Sequence, residues 1–180
     1  DPVFIPSGVG YWQFDEGVGA TTTSDSAYGS STGTLGAFVG SDGSDPTWTT
    51  GRFGNALQFD GVDDYVEIAD APELDITGSE FSASFWVKPD RGPGAEDVFF
   101  MKGDRTGNSN VNYYLSWKSS GDITWAFKSD GYFEYLDMNV PLPTVGAWNH
   151  VAIVFNQPNV SLFINGNEYT YNDVATGGTD

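Results

Sequence analysis

The clearest hydrophobic rhythm in the chain runs over residues 81–89. Phe81, Ala83, Phe85 and Val87 share one face, and Ser82, Ser84, Trp86 and Lys88 share the other. A period of two predicts a strand with one side on a core. Pro89 ends the run because it cannot donate to a ladder. Shorter runs of the same character recur at residues 11–14, 34–38, 56–59, 65–68, 98–102, 111–118, 123–128, 132–136, 160–164 and 167–171. Residues 148–155 are apolar on both faces, which predicts a central strand. Asp60-Gly61, Asp130-Gly131 and Asn165-Gly166 are turn dipeptides, and Asn165-Gly166 is the strongest hairpin signal of the three. Residues 69–78 offer one brief helical turn. About a dozen short strands at this spacing predict an all-β, two-sheet antiparallel sandwich. No repeat of 20–50 residues is present.

Composition narrows the function classes. The 180 residues are 39% hydrophobic and 16% aromatic, enough to bury one core without staples. Residues 9–180 read as one domain, preceded by an arm or linker at 1–8 in which Pro2 and Pro6 flank Val3-Phe4-Ile5. Cysteine is absent, which excludes disulfides, zinc ribbons and thiol catalysis. No run of 18 apolar residues is present, so no membrane insertion is expected. The chain opens on Asp1 without methionine and reads as a processed or excised piece. Twenty-five acids against 7 bases give a net charge of −18, and 18 of the acids are Asp. That field repels nucleic acid and anionic lipid but leaves neutral sugars and cations open as partners.

Three candidate chemistries remain. Asp60, Asp63 and Asp64 place three carboxylates within five residues, with the Gly61 and Val62 carbonyls between them as further oxygen ligands and few bases nearby. Hard oxygen ligands of this kind predict calcium, with Asp15 and Glu16 as the natural second contributors; a solvated polar hairpin loop is the bland alternative. Trp86, Tyr113, Trp117, Trp125, Tyr132 and Tyr135 could form a platform on which a pyranose stacks; the alternative is that they fill the core. Tyr113 and Tyr114 are neighbours in one strand and so must point to opposite faces. His150, the one histidine, lies in the expected central strand and reads as a hydrogen-bonded sheet residue rather than a triad member. Asn159-Val160-Ser161 is a glycosylation sequon at an expected turn.

The stretch Gly51-Arg52-Phe53-Gly54-Asn55-Ala56-Leu57-Gln58-Phe59-Asp60-Gly61-Val62-Asp63-Asp64-Tyr65-Val66, followed by residues 81–89, resembles the laminin G-like, concanavalin A-like lectin/glucanase family. Gly10-Tyr11-Trp12-Gln13-Phe14-Asp15-Glu16-Gly17, Ala147-Trp148-Asn149-His150-Val151 and Ser161-Leu162-Phe163-Ile164-Asn165-Gly166 extend the resemblance in the right order. It implies a jelly-roll sandwich, with a structural ion where the first strand, the acidic loop and the closing strand meet. Glucanases of this architecture use a Glu-x-Asp-x-x-Glu strand. The nearest string here, Glu73-Leu74-Asp75-Ile76-Thr77-Gly78, has glycine at the third acidic position, so catalysis is not expected.

The leading expectation is a secreted or cell-surface, non-catalytic lectin-like module. It would bind carbohydrate or a cell-surface glycan, or mediate adhesion, with structural calcium. The second is a structural subunit of a surface layer or filament. The resemblance implies a closing strand after the Asn165-Gly166 hairpin, and none is legible in residues 172–180. A truncated piece is the bland explanation; in the sharper one, the arm at 1–8 completes a neighbour's sheet by strand donation. A glycosidase-related domain is the weakest of the three.

Overall fold

The computed structural model describes residues 8–27, 31–76, 78–103, 111–129, 132–141 and 143–171. The arm at 1–7 and the segment 172–180, on which strand donation rests, lie outside the described residues. The chain divides into two compact units, Asp1–Leu74 and Asp75–Asp180. The described secondary structure is all β apart from one 3-10 turn at Pro72–Leu74, where the sequence predicts a brief helical turn. No described helix is long and apolar enough to cross a membrane.

The N-terminal unit contains β1 (Thr22–Thr23), β2 (Gly33–Leu35), β3 (Thr47–Thr50), β4 (Asn55–Gln58) and β5 (Val66–Ile68). Strands β1-β2-β5 form one antiparallel sheet and β3-β4 a hairpin. The two apolar runs flanking the acidic turn therefore pair with other strands and not with each other. The hairpin turn before β4 explains this. Gly51 N donates to Gly54 O at 2.9 Å, and Gly54 has φ of +61°, which favours glycine. That local closure gives β4 to β3, so residues 59–65 become a crossover from one sheet to another. The expected strand at 11–14 is reduced to a single bridge between Trp12 and Asp25. Tyr11 N donates to the Asp25 side chain, Trp12 Nε1 donates to Ser31 O, and Phe14 turns the chain with φ of +56°.

The C-terminal unit contains β6 (Glu80–Val87), β7 (Glu96–Lys102), β8 (Tyr113–Lys118), β9 (Ile123–Ser129), β10 (Tyr132–Met138), β11 (Asn149–Asn156), β12 (Asn159–Ile164) and β13 (Asn167–Tyr171). They form two four-stranded antiparallel sheets, ordered β10-β9-β8-β7 and β13-β12-β11-β6. Between the sheets lies one core that includes Leu115, Trp117, Ile123, Trp125, Phe127 and Met138 from the first sheet and Val151, Ile153, Phe155, Val160 and Leu162 from the second. The Phe127 and Phe155 rings meet across it at 4.4 Å. Strand β6 alternates as its sequence predicts, and β11 lies between β6 and β12.

Two local features set the faces. A bulge between Val98 and Phe100 in β7 inserts Phe99, so Phe99 and Phe100 both pack near Phe85, while Val98 and Glu96 pair with Ser116 and Lys118. In the β12-β13 turn, Asn165 and Gly166 have φ of +52° and +83°, the pair of left-handed residues that a tight hairpin needs. Asn165 Oδ1 accepts from His150 N, and its amide donates to the buried Asn149. Asn149 in turn donates to Thr144 O and Ala147 O and accepts from Thr144 N, which ties the loop before β11 to the strand.

Candidate functional site

In the acidic crossover, Asp60 Oδ1 accepts from Val62 N at 2.7 Å, the Asx turn its sequence predicts, and Gly61 follows at φ of +76°. Asp60 N donates to Asp64 Oδ2 at 2.7 Å. Asp60, Asp63 and Asp64 each offer a carboxylate oxygen, and these atoms lie within 4.8 Å of one another. Burial raises the Asp64 pKa; the hydrogen bond from Asp60 opposes the rise, and the charges of Asp60, Asp63 and Asp45 add to it. The loop thus carries like charges close together, and the donor set fits a hard cation.

Asp15 and Glu16 do not join that group of oxygens. Each satisfies backbone amides elsewhere: Asp15 Oδ1 accepts from Asn55 N, while Glu16 Oε1 accepts from Ser24 N and Thr23 Oγ1. Asp45, whose charge bears on Asp64, is a neighbour that sequence reasoning missed. It is brought near by the bond from Tyr65 N to Ser44 O, a contact with no local sequence signal.

The expected aromatic platform is divided by the fold. Trp125, Trp117 and Tyr113 are 0%, 3% and 7% exposed and belong to the core, so they cannot stack on a ligand. The register is the reason, since Tyr113 opposes Phe127, Leu115 opposes Trp125, and Trp117 opposes Ile123, all on the inner face. The Tyr132 side chain lies outside the described residues. Tyr135 is 50% exposed. Trp86 is 42% exposed but belongs to the other sheet.

Tyr135 stands on the outer face of β10-β9-β8-β7, in a row with Ala126, Tyr114 and Met101. The Tyr114 and Tyr135 rings meet edge to face at 6.3 Å. The next row is Asp137, Thr124, Ser116 and Val98, and beyond it Lys118 opposes Glu96. Ser116 Oγ donates to Glu96 Oε1 at 2.7 Å, and Asp137 Oδ1 accepts from Lys118 Nζ at 2.7 Å and from Thr124 Oγ1 at 2.5 Å. Ser116, Thr124 and Ala126 are buried beneath these longer side chains.

Burial pushes the Asp137 pKa up, but the hydrogen bonds from Lys118 and Thr124 and the Lys118 charge outweigh it and hold the carboxyl below its ordinary range. The Tyr135 phenol is raised by burial first and then by the Glu96 charge, with Lys118 opposing, so both charges bear on this ring. The face combines two aromatic rings with two carboxylates held by hydroxyls and an ammonium paired with one of them. Tyr114, Glu96, Lys118 and Asp137 were missed in the sequence. Once Tyr113 is known to point inward, alternation and hairpin register place Tyr114, Lys118, Tyr135 and Asp137 on this face, whereas Glu96 depends on the bulge between Val98 and Phe100.

Residues 60–180 match the family model described as the concanavalin A-like lectin/glucanases superfamily. No curated protein matches the chain significantly. Among solved structures, domain 4 of AbnA, a GH43 extracellular arabinanase from Geobacillus stearothermophilus in complex with arabinotriose, is similar. Its TM-score is 0.59 at 24% identity, over 86% of this chain and 73% of that one.

Proposed function

The chain belongs to the concanavalin A-like lectin/glucanase superfamily, and from that premise we propose that it is a non-catalytic carbohydrate-binding module acting outside the cell. The observation that carries this reading is the outer face of β10-β9-β8-β7. There Tyr114 and Tyr135 offer rings for the apolar side of a sugar, and Glu96, Asp137 and Lys118 lie beside them to bind hydroxyls. The structural neighbour was solved with arabinotriose, which makes neutral arabino-oligosaccharides the first ligands to try. Asp137 is held ionised by Lys118, and Glu96 accepts a hydroxyl hydrogen bond. Asp137 is therefore not a carboxyl kept protonated for general acid work, which favours binding over hydrolysis.

Calcium belongs to the same proposal. Asp60, Asp63 and Asp64 would hold it, and the ion would offset the burial and the like charges that raise Asp64. The binding claim is tested by calorimetric titration of arabinotriose into the wild type and into Tyr135→Ala. Loss of a binding site in the variant, with unchanged melting, supports this face as the site. Equal binding by both proteins would place the site elsewhere.

A further inference from the structure

The second sheet also presents a face to solvent, and its chemistry is unlike the rest of the molecule. Register aligns Trp86 with His150, Ser84 with Ala152 and Phe163, and Ser82 with Val154, Ser161 and Thr170. Trp86, Val154, Ser82, Ser84 and Thr170 are exposed, and the Trp86 and His150 rings lie 5.2 Å apart. The ionisable groups on this face are His150, Glu80, Glu168 and, just past the end of β6, Lys88. Glu168 Oε1 accepts hydrogen bonds from Ser161 Oγ and Thr170 Oγ1. In a protein of net charge −18, a face of indole, imidazole, hydroxyl and short apolar groups is close to neutral.

We infer that this Trp86–His150 face is a second carbohydrate-binding surface, specific for neutral polysaccharide, so that one copy of the chain binds two glycan strands. The small net charge favours a neutral ligand over an acidic glycan or a basic peptide. Beside the paired Trp86 and His150 rings, Ser82, Ser84, Ser161 and Thr170 supply hydroxyls, and this mixture suits pyranose or furanose units, which show both apolar and hydroxyl surfaces. A protein partner would call for a contiguous apolar core patch, and here Ser82, Ser84, Ser161 and Thr170 interrupt it. The two faces lie on opposite sides of one shared core and so point away from each other. A single chain with such an arrangement bridges two strands, whereas two sites on one face would grip one strand more tightly.

The inference rests on the carbohydrate reading of the Tyr114–Tyr135 face, and one experiment separates the two. Arabinotriose is titrated calorimetrically into wild type, Tyr135→Ala, Trp86→Ala and Trp86→Phe, and the same proteins are mixed with linear arabinan to follow turbidity. The expected result is two sites per wild-type chain and one in each Ala variant. Trp86→Phe should keep two sites because it keeps a ring. The wild type should precipitate arabinan, and both Ala variants should fail to do so. Unchanged melting temperatures show that the variants are folded. One site in the wild type, lost in Tyr135→Ala and untouched in Trp86→Ala, overturns the second surface and leaves the first reading standing. One site lost only in Trp86→Ala overturns the two-faced arrangement and moves the function to the second sheet. No binding of arabinotriose or arabinan by the wild type overturns both.

Discussion

Asn149 shows what one residue contributes. It is buried, and its side chain takes part in hydrogen bonds with Thr144, Ala147 and Asn165, so every polar atom of its amide is engaged. Asn149→Ala leaves buried donors and acceptors without partners and should cost roughly 1–3 kcal/mol for each group left unsatisfied. A drop in the denaturant midpoint at unchanged slope would show it; a midpoint equal to wild type would contradict the account. Asp137 makes a pH prediction. Its folded pKa is depressed by Lys118 and Thr124, so its contribution is fully present above the ordinary carboxylate pKa and is lost as pH falls through the lower folded value. Asp137→Asn should therefore flatten the acid limb of the stability curve below about pH 4. An acid limb identical to wild type would show that the Lys118 pair does not contribute.

At the scale of elements, the sequence is informative about strands and much less so about their partners. The 81–89 rhythm reappears as β6, and the positive φ values of Asn165 and Gly166 reappear as the β12-β13 turn, because both depend on neighbours in sequence. The runs around the acidic loop pair with β3 and β2 instead of each other, since pairing depends on which turn closes first and on distant strands. Tyr113 and Tyr135 carry the same lesson. Either could face the core from alternation alone, and only register buries Tyr113 and exposes Tyr135. The bulge at Val98/Phe100 has no sequence mark, yet it sets the parity by which Glu96 pairs with Lys118 on the outer face. The acidic loop gives a prediction of opposite sign to Asp137. Because burial and like charge raise Asp64, its ionised form opposes folding, and stability in chelator should fall as pH rises through the raised folded pKa. Asp64→Asn should thus melt at or above the wild-type temperature in chelator while losing any gain from calcium. A variant that melts lower in chelator and keeps the calcium gain would remove Asp64 from the site.

For the whole molecule, the unbalanced charge and the two faces are the properties that matter. The first 74 residues contain a single basic residue, Arg52, so the acidic crossover has little local counter-charge. Calcium at 100-fold over its dissociation constant should raise stability by about 2.7 kcal/mol, seen as a higher melting temperature in millimolar calcium than in chelator. Identical melting would exclude the ion. The core that separates the two sheets is what allows opposed faces, and it depends on the rings that the sequence offers equally well as a sugar platform. Trp125→Ala should cost about 3–5 kcal/mol by leaving a cavity, whereas Tyr135→Ala should leave stability almost unchanged.

Whether the outer face of β10-β9-β8-β7 meets the sugar is measured directly by backbone-amide NMR during titration with arabinotriose. Progressive shifts are expected at Glu96, Tyr114, Ser116, Thr124, Tyr135 and Asp137, the residues that line or underlie that face. Shifts confined to residues 59–65, or none at saturating ligand, would contradict the proposed site.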